Sequence, residues 1–185
     1  MARLKQLFKD KIHQELKSKL GLANPMQVPA LEKITLNIGV GNMSTDKKIV
    51  QVAVDHLSRI AGQKAVITKA KKSIAGFKIR EGWPMGVKVT LRGEKMYEFL
   101  DRVVNIVLPR VRDFRGIPVK GFDGRGNFNF SFRELVFPEI DLDELDPNVS
   151  GLNVTINTSA KTDSHAFELL KSFNFPFRGV MKTEQ

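Results

Sequence analysis

Residues 68–86 read TKAKKSIAGFKIREGWPMG and set Lys69, Lys71, Lys72, Lys78 and Arg80 against a single anion, Glu81. So many cations in one short stretch, with three glycines and the only tryptophan, suit capture of a polyanion, because each neutralised phosphate releases condensed counterions. Covalent chemistry has less to work with. The chain has no cysteine, which excludes disulfides, Cys-ligated zinc, iron–sulfur clusters and thiol nucleophiles. Gly39-x-Gly41 sits between a strand-like and a helix-like run, as a dinucleotide fingerprint would. However, Ser44 stands where Gly or Ala belongs, and the next strand ends in lysine rather than an acid. His13, His56 and His165 fall in three separate helical patterns and share no ligand spacing, so no metal is expected there. There is no Gly-x-Ser-x-Gly and no P-loop. These residues predict a binding protein without cofactor, not an enzyme.

An acidic stretch, PEIDLDELDP at 138–147, carries Glu139, Asp141, Asp143, Glu144 and Asp146. It would repel phosphate. It reads as a solvated segment, as a contact for a basic protein, or as a metal site, although it lacks the glycine and terminal glutamate of a calcium loop.

The charge of the whole chain agrees with a polyanionic partner. The net charge is +10, and it is unevenly spread: Met1 to Arg110 holds 21 Lys and Arg against 9 Asp and Glu, while the remainder holds 9 against 11. A charged N-terminus unlike a signal peptide, and no apolar run near the ~18 residues of a membrane span, predict a soluble cytoplasmic protein. With 185 residues and 42% hydrophobic content the expectation is one core-forming domain over 1–185.

The elements that must position these groups follow from hydrophobic periodicity. Leu4, Phe8, Ile12, Leu16 and Leu20 recur at helical spacing over 3–20. Helices are likewise expected at about 46–61, 94–108 and 163–173, the last capped by Thr162 or Asp163. Alternation marks strands at 28–38, 65–68, 86–92, 127–132 and 152–159. Between them lie the basic loop 69–86 and a Gly/Arg-rich loop at 111–126, expected to be a long surface loop. The fold class expected is α+β: an antiparallel (mixed) sheet with helices packed on one face and a polar, basic open face.

One strand parity collects Ile34, Leu36, Val87, Val89, Phe128, Phe130, Phe132, Val154 and Ile156. The other collects Lys33, Thr35, Asn37, Lys88, Thr90, Arg92, Asn127, Asn129, Ser131, Arg133, Asn153, Thr155, Asn157 and Ser159, with four cations and no carboxylate. Ordinary solvated faces mix Glu with Lys. Amides, hydroxyls and cations instead suit phosphates and ribose 2′-hydroxyls. RGNFNFSF loosely echoes a motif whose aromatics stack on bases. Because no other strand puts aromatics on the polar parity, the phenylalanines are assigned to the core. The face should then hold a folded RNA by backbone and groove. Trp83 could stack on a nucleotide or pin the loop to the body, and like-charge repulsion should leave the free loop mobile.

The stretches ITLNIGVG, ITKAKKSIAGFKIREGWPMGVKVTLRGEKMYEFLDR, LPRVRDFRG, FDGRGNF and FPEID, in this order, resemble the family of bacterial-type large-subunit ribosomal proteins that bind 5S ribosomal RNA, the fifth in the large-subunit naming. The resemblance implies 5S RNA on the open sheet face, in the central protuberance, with neighbouring large-subunit RNA and proteins around it. It implies Asn37, Gln63 and Thr90 as RNA-binding positions. Strand parity adds Lys33, Arg92 and Asn129. The loop with Lys71, Lys72, Ser73, Ile74, Ala75, Lys78, Arg80 and Trp83 is implied to approach the peptidyl-site transfer RNA. The acidic segment is implied to meet a basic protein of the small-subunit head.

Overall fold

The computed structural model describes residues 2–40, 47–140 and 151–179. Five strands form one antiparallel sheet in the order β2-β3-β1-β6-β5: β1 (Leu31–Gly39), β2 (Val66–Lys69), β3 (Pro84–Leu91), β5 (Phe128–Phe132) and β6 (Leu152–Thr158). A separate pair, β4 (Ile117–Pro118) and β7 (Phe177–Arg178), is parallel. The helices are α1 (Arg3–Leu7), α2 (His13–Lys19), α3 (Lys47–Ala61), α4 (Gly93–Arg102), α5 (Leu108–Arg110) and α6 (Asp163–Ser172). The fold is α+β, as the periodicities predict.

The chain divides into two compact units, Met1–Ile34 with Arg92–Phe130 and Thr155–Gln185, and Thr35–Leu91 with Ser131–Val154. In the first, a π-helical turn (Phe8–Ile12) joins α1 to α2, and another (Val103–Val107) joins α4 to α5. The α1–α2 segment lies on α4, tied by Arg3 to Asp101 and Lys5 to Glu94, with Phe8 between Tyr97 and Phe173. Beneath it Ile12, Leu16, Met96, Phe99, Leu100, Leu169 and Leu170 are buried. In the second, α3 packs on β3, burying Ala53, Leu57 and Ile60 with Leu36, Ile38, Val87, Val89 and Leu91. Full burial of such a side chain contributes about 1.5–3 kcal/mol, so reversing a strand's parity would expose several at once.

The apolar parity is buried throughout except for Phe130, which is half-buried and packs on Phe128 and Phe175. Assigning the phenylalanines to the core was therefore right: Phe128 is fully buried, ringed by Phe122, Phe175 and Phe177 at 4.6–5.6 Å between centroids.

Three expectations need correcting. The first strand begins at Leu31, not 28: a 3-10 turn capped by Asn24 occupies Pro25–Gln27, Pro29 has no N–H to give, and the Ala30 N–H is taken by Ser159 Oγ. The helix expected over 94–108 runs to Arg110: the π-helical turn over Val103–Val107 leads straight into Leu108–Arg110, and Pro109 lies within this helical run, which the chain leaves at Val111. The 111–126 segment is not a simple surface loop. It contributes β4 and a 3-10 turn (Val119–Gly121), and Ile117 and Gly126 are buried.

Candidate nucleic-acid interface

Strand pleating presents the polar parity in each unit. In the second unit Thr35, Asn37 and Thr90 are half-buried, and Lys88, Ser131, Arg133 and Asn153 are exposed. In the first unit Lys33, Asn127, Thr155 and Asn157 are half-buried, and Arg92, Asn129 and Ser159 are exposed. None of these side chains is buried, although the residues between them along β1, β3 and β6 are. Gln63 follows α3, and its Nε2 donates to the Thr90 carbonyl at 3.4 Å, so two of the RNA-binding positions implied by resemblance are brought together. Asn37 belongs to the same unit, whereas Lys33, Arg92 and Asn129 belong to the other.

Where the cations are unpaired matters most. The ion pairs Arg3–Asp101, Lys5–Glu94, Lys11–Glu15 and Lys19–Glu168 all join helical residues. Among the described residues, Lys33, Lys88, Arg92 and Arg133 make none, and neither do Lys69, Lys71, Lys72, Lys78 or Arg80. The face is not wholly free of acid. Asp123 returns from the preceding loop to Asn127, whose Nδ2 donates to it at 2.7 Å while its Oδ1 accepts from Asn157 Nδ2 at 3.1 Å. Sequence parity missed this carboxylate because it lies outside the strand.

The basic loop is built, not irregular. It continues the β2–β3 hairpin: Ala70 N–H donates to the Trp83 carbonyl at 2.8 Å and Gly82 N–H to the Ala70 carbonyl at 3.0 Å. Ile74 and Ile79 exchange two backbone bonds farther out, and Ser73 Oγ accepts the Glu81 N–H. At the tip a 3-10 turn (Ala75–Phe77) ends on Lys78 in the left-handed region. Lys71, Lys72, Ser73, Ile74, Ala75, Lys78 and Arg80 are all exposed, and Trp83 is half-buried at the base. Phe77, which parity could not assign because the turn interrupts alternation, is 68% exposed beside these cations.

Glu139 is half-buried; Asp141, Asp143, Glu144 and Asp146 lie outside the described residues, as do Gly41 and Ser44 of the Gly-x-Gly stretch. Among the described residues no group of three His, Cys, Asp or Glu is placed to hold a metal ion. Nor, among them, is any helix long and apolar enough to cross a membrane.

Comparison with known proteins decides the family. Residues 24–80 match the model of ribosomal protein L5, and residues 84–177 match the model of the C-terminus of that same ribosomal family. The chain belongs to the ribosomal protein L5 family. The large ribosomal subunit protein uL5 of Psychrobacter arcticus is 59% identical over 96% of this chain and 100% of its own length. That of Nitrosomonas europaea is 59% identical over 96% and 99%, and that of Francisella tularensis subsp. mediasiatica is 58% identical over the same shares. The L5 family comprises structural, RNA-associated proteins of the large subunit of the cytoplasmic ribosome, not enzymes. The two L5 matches stop and restart at 80 and 84, on the returning arm of the basic hairpin.

Proposed function

We propose that this chain holds 5S ribosomal RNA on the open side of its strands, as an architectural component of the central protuberance. One observation carries the reading: the cations of the strands and hairpin stand unpaired, while the ion pairs that are made join helices. An unpaired cation has no internal counter-charge to give up and is available to a phosphate; the strand fixes its backbone, and the side chain is ordered on docking. Asn37, Gln63, Thr90 and Asn129 supply donors and acceptors for phosphate and ribose oxygens, and Lys33 and Arg92 supply charge. No aromatic ring joins them on this parity, which favours a folded RNA gripped by backbone and groove over splayed single strands.

Two further contacts belong to the same reading. The hairpin with Lys71, Lys72, Lys78 and Arg80 reaches a second RNA, the peptidyl-site transfer RNA, and Trp83 stiffens its base. The acidic segment at 138–147, whose sign repels RNA, meets a basic protein of the small-subunit head and forms a bridge between subunits. The family resemblance and the signs of charge support both.

Filter binding of 5S RNA over a salt series tests the central claim. About five phosphate contacts predict log affinity falling with log salt at a slope of roughly −4 to −5. Neutralising Lys71, Lys72 and Lys78 together should leave 5S affinity nearly unchanged and weaken transfer RNA binding by the assembled ribosome. A salt-independent affinity, or a triple variant as impaired for 5S RNA as a strand-face variant, would overturn the assignment.

A further inference from the structure

The loop 123–127, DGRGN, has an unusual pattern of internal bonds. Four successive backbone N–H groups are taken by two carboxylates. Gly124 N–H and Gly126 N–H donate to Asp163, at the first turn of α6, at 2.9 and 2.7 Å. Arg125 N–H and Asn127 N–H donate to Asp123 at 2.9 and 3.0 Å, and Asn127 Nδ2 adds a third bond. From the other side Thr158 Oγ1 donates to the Gly126 carbonyl at 2.6 Å. Gly124 and Gly126 both have φ near +80°, and a Cβ on Gly126 would lie 2.5 Å from the Ala160 carbonyl oxygen, so this backbone admits little else there.

A run of converging N–H groups ordinarily makes an anion cradle. Here the protein's own carboxylates fill it. The residue at the middle, Arg125, is exposed, and among the described residues it pairs with neither carboxylate, although they bind the amides on both sides of it. A bonded loop therefore presents an arginine beside two carboxylates that are engaged by its backbone amides rather than by its guanidinium. Asn127 connects it to the strand rows, since it also accepts from Asn157 on β6.

We infer that Arg125 is a phosphate-binding residue at the end of the strand face, held in position by Asp123 and Asp163, and that its ligand is the backbone of the RNA docked on that face. This rests on the reading of the strand face as an RNA surface. A guanidinium meets two phosphate oxygens bidentately, and a fixed backbone lowers the ordering cost of doing so.

The test measures deproteinised 5S RNA by filter binding across a salt series. Arg125→Ala should lower affinity by about tenfold and make the salt slope less negative by about one. Arg125→Lys should keep the slope and lose part of the affinity. Asp163→Asn and Asp123→Asn discriminate more sharply. Each removes a negative charge, so electrostatics alone predicts tighter binding; loss of the positioning bonds predicts binding several-fold weaker. Exchange rates of the Gly124 and Gly126 amides in Asp163→Asn, and of the Arg125 and Asn127 amides in Asp123→Asn, with the melting temperature, establish that the loop has loosened while the fold persists. Unchanged affinity for Arg125→Ala where Asn37→Ala binds less tightly would overturn this inference alone. So would tighter binding by a loosened Asp163→Asn or Asp123→Asn chain. If neither Asn37→Ala nor Arg125→Ala affected binding, the reading of the strand face would fall, and the assignment of Arg125 with it.

Discussion

Asn37 and Thr90 occupy strand positions flanked by Leu36 and Ile38, and by Val89 and Leu91, all buried on the opposite side. Truncating either removes an amide or hydroxyl without opening a cavity, so Asn37→Ala and Thr90→Ala should leave the melting temperature nearly unchanged. Each should cost about 1–3 kcal/mol of 5S RNA affinity if its side chain bonds the RNA. Paired thermal melts and filter binding decide this, since a large drop in melting temperature would mean a structural role. Asp123 is a different kind of residue. The Asn127 amide bond holds its carboxyl below the usual range, assisted by the Arg125 and Asn127 backbone N–H groups and opposed by partial desolvation. A lowered folded-state value means the ionised form contributes stability at pH above the unfolded value. That contribution is lost as pH falls through the lower folded value. The melting-temperature gap between the native chain and Asp123→Asn should therefore be open at neutral pH and close in acid. It should be small throughout, because the group is largely exposed.

Elements differ in how far their sequence betrays them. β1, β3 and β6 were legible because period-two burial survives over 7–9 residues, and α3 because its stripe runs over four turns. β4 and β7 were not, since each is two residues long and pairs with a segment some sixty positions away. Residues 123–126 fall in the Gly/Arg-rich segment 111–126, and nothing local marks them as a site. Their shape depends on Asp163, about forty residues later, and long-range hydrogen bonds leave no local period. Gly86 is a related case: in sequence it only opens an alternating run, while in the sheet it lets β3 approach β1. A Cβ there would lie 2.6 Å from the Ile38 carbonyl oxygen, a backbone atom that cannot turn aside. Gly86→Ala should destabilise the fold by about 1–3 kcal/mol through overpacking, seen as a lower denaturation midpoint. Alanine at exposed Gly76, where a Cβ meets nothing within 4 Å, is the control and should cost far less.

For the molecule as a whole the net charge of +10 is a poor description, because its cations are in two different states. Arg3 and Lys19 are paired across helices with Asp101 and Glu168; Lys88 and Arg92 stand on the strand rows without partners. Removing either pair of cations changes the formal charge equally. If RNA responded to charge alone, Arg3→Gln/Lys19→Gln and Lys88→Gln/Arg92→Gln would weaken binding alike. An arginine whose donors already meet a carboxylate offers little new attraction to a phosphate, and its field beyond the pair is largely cancelled. The helix variant should therefore lose stability and keep its salt slope. The strand variant should keep its melting temperature and lose roughly 0.9 of slope for each phosphate contact removed. Equal slopes in the two charge-matched variants would mean that total charge, not its placement on the strands, governs the encounter with RNA.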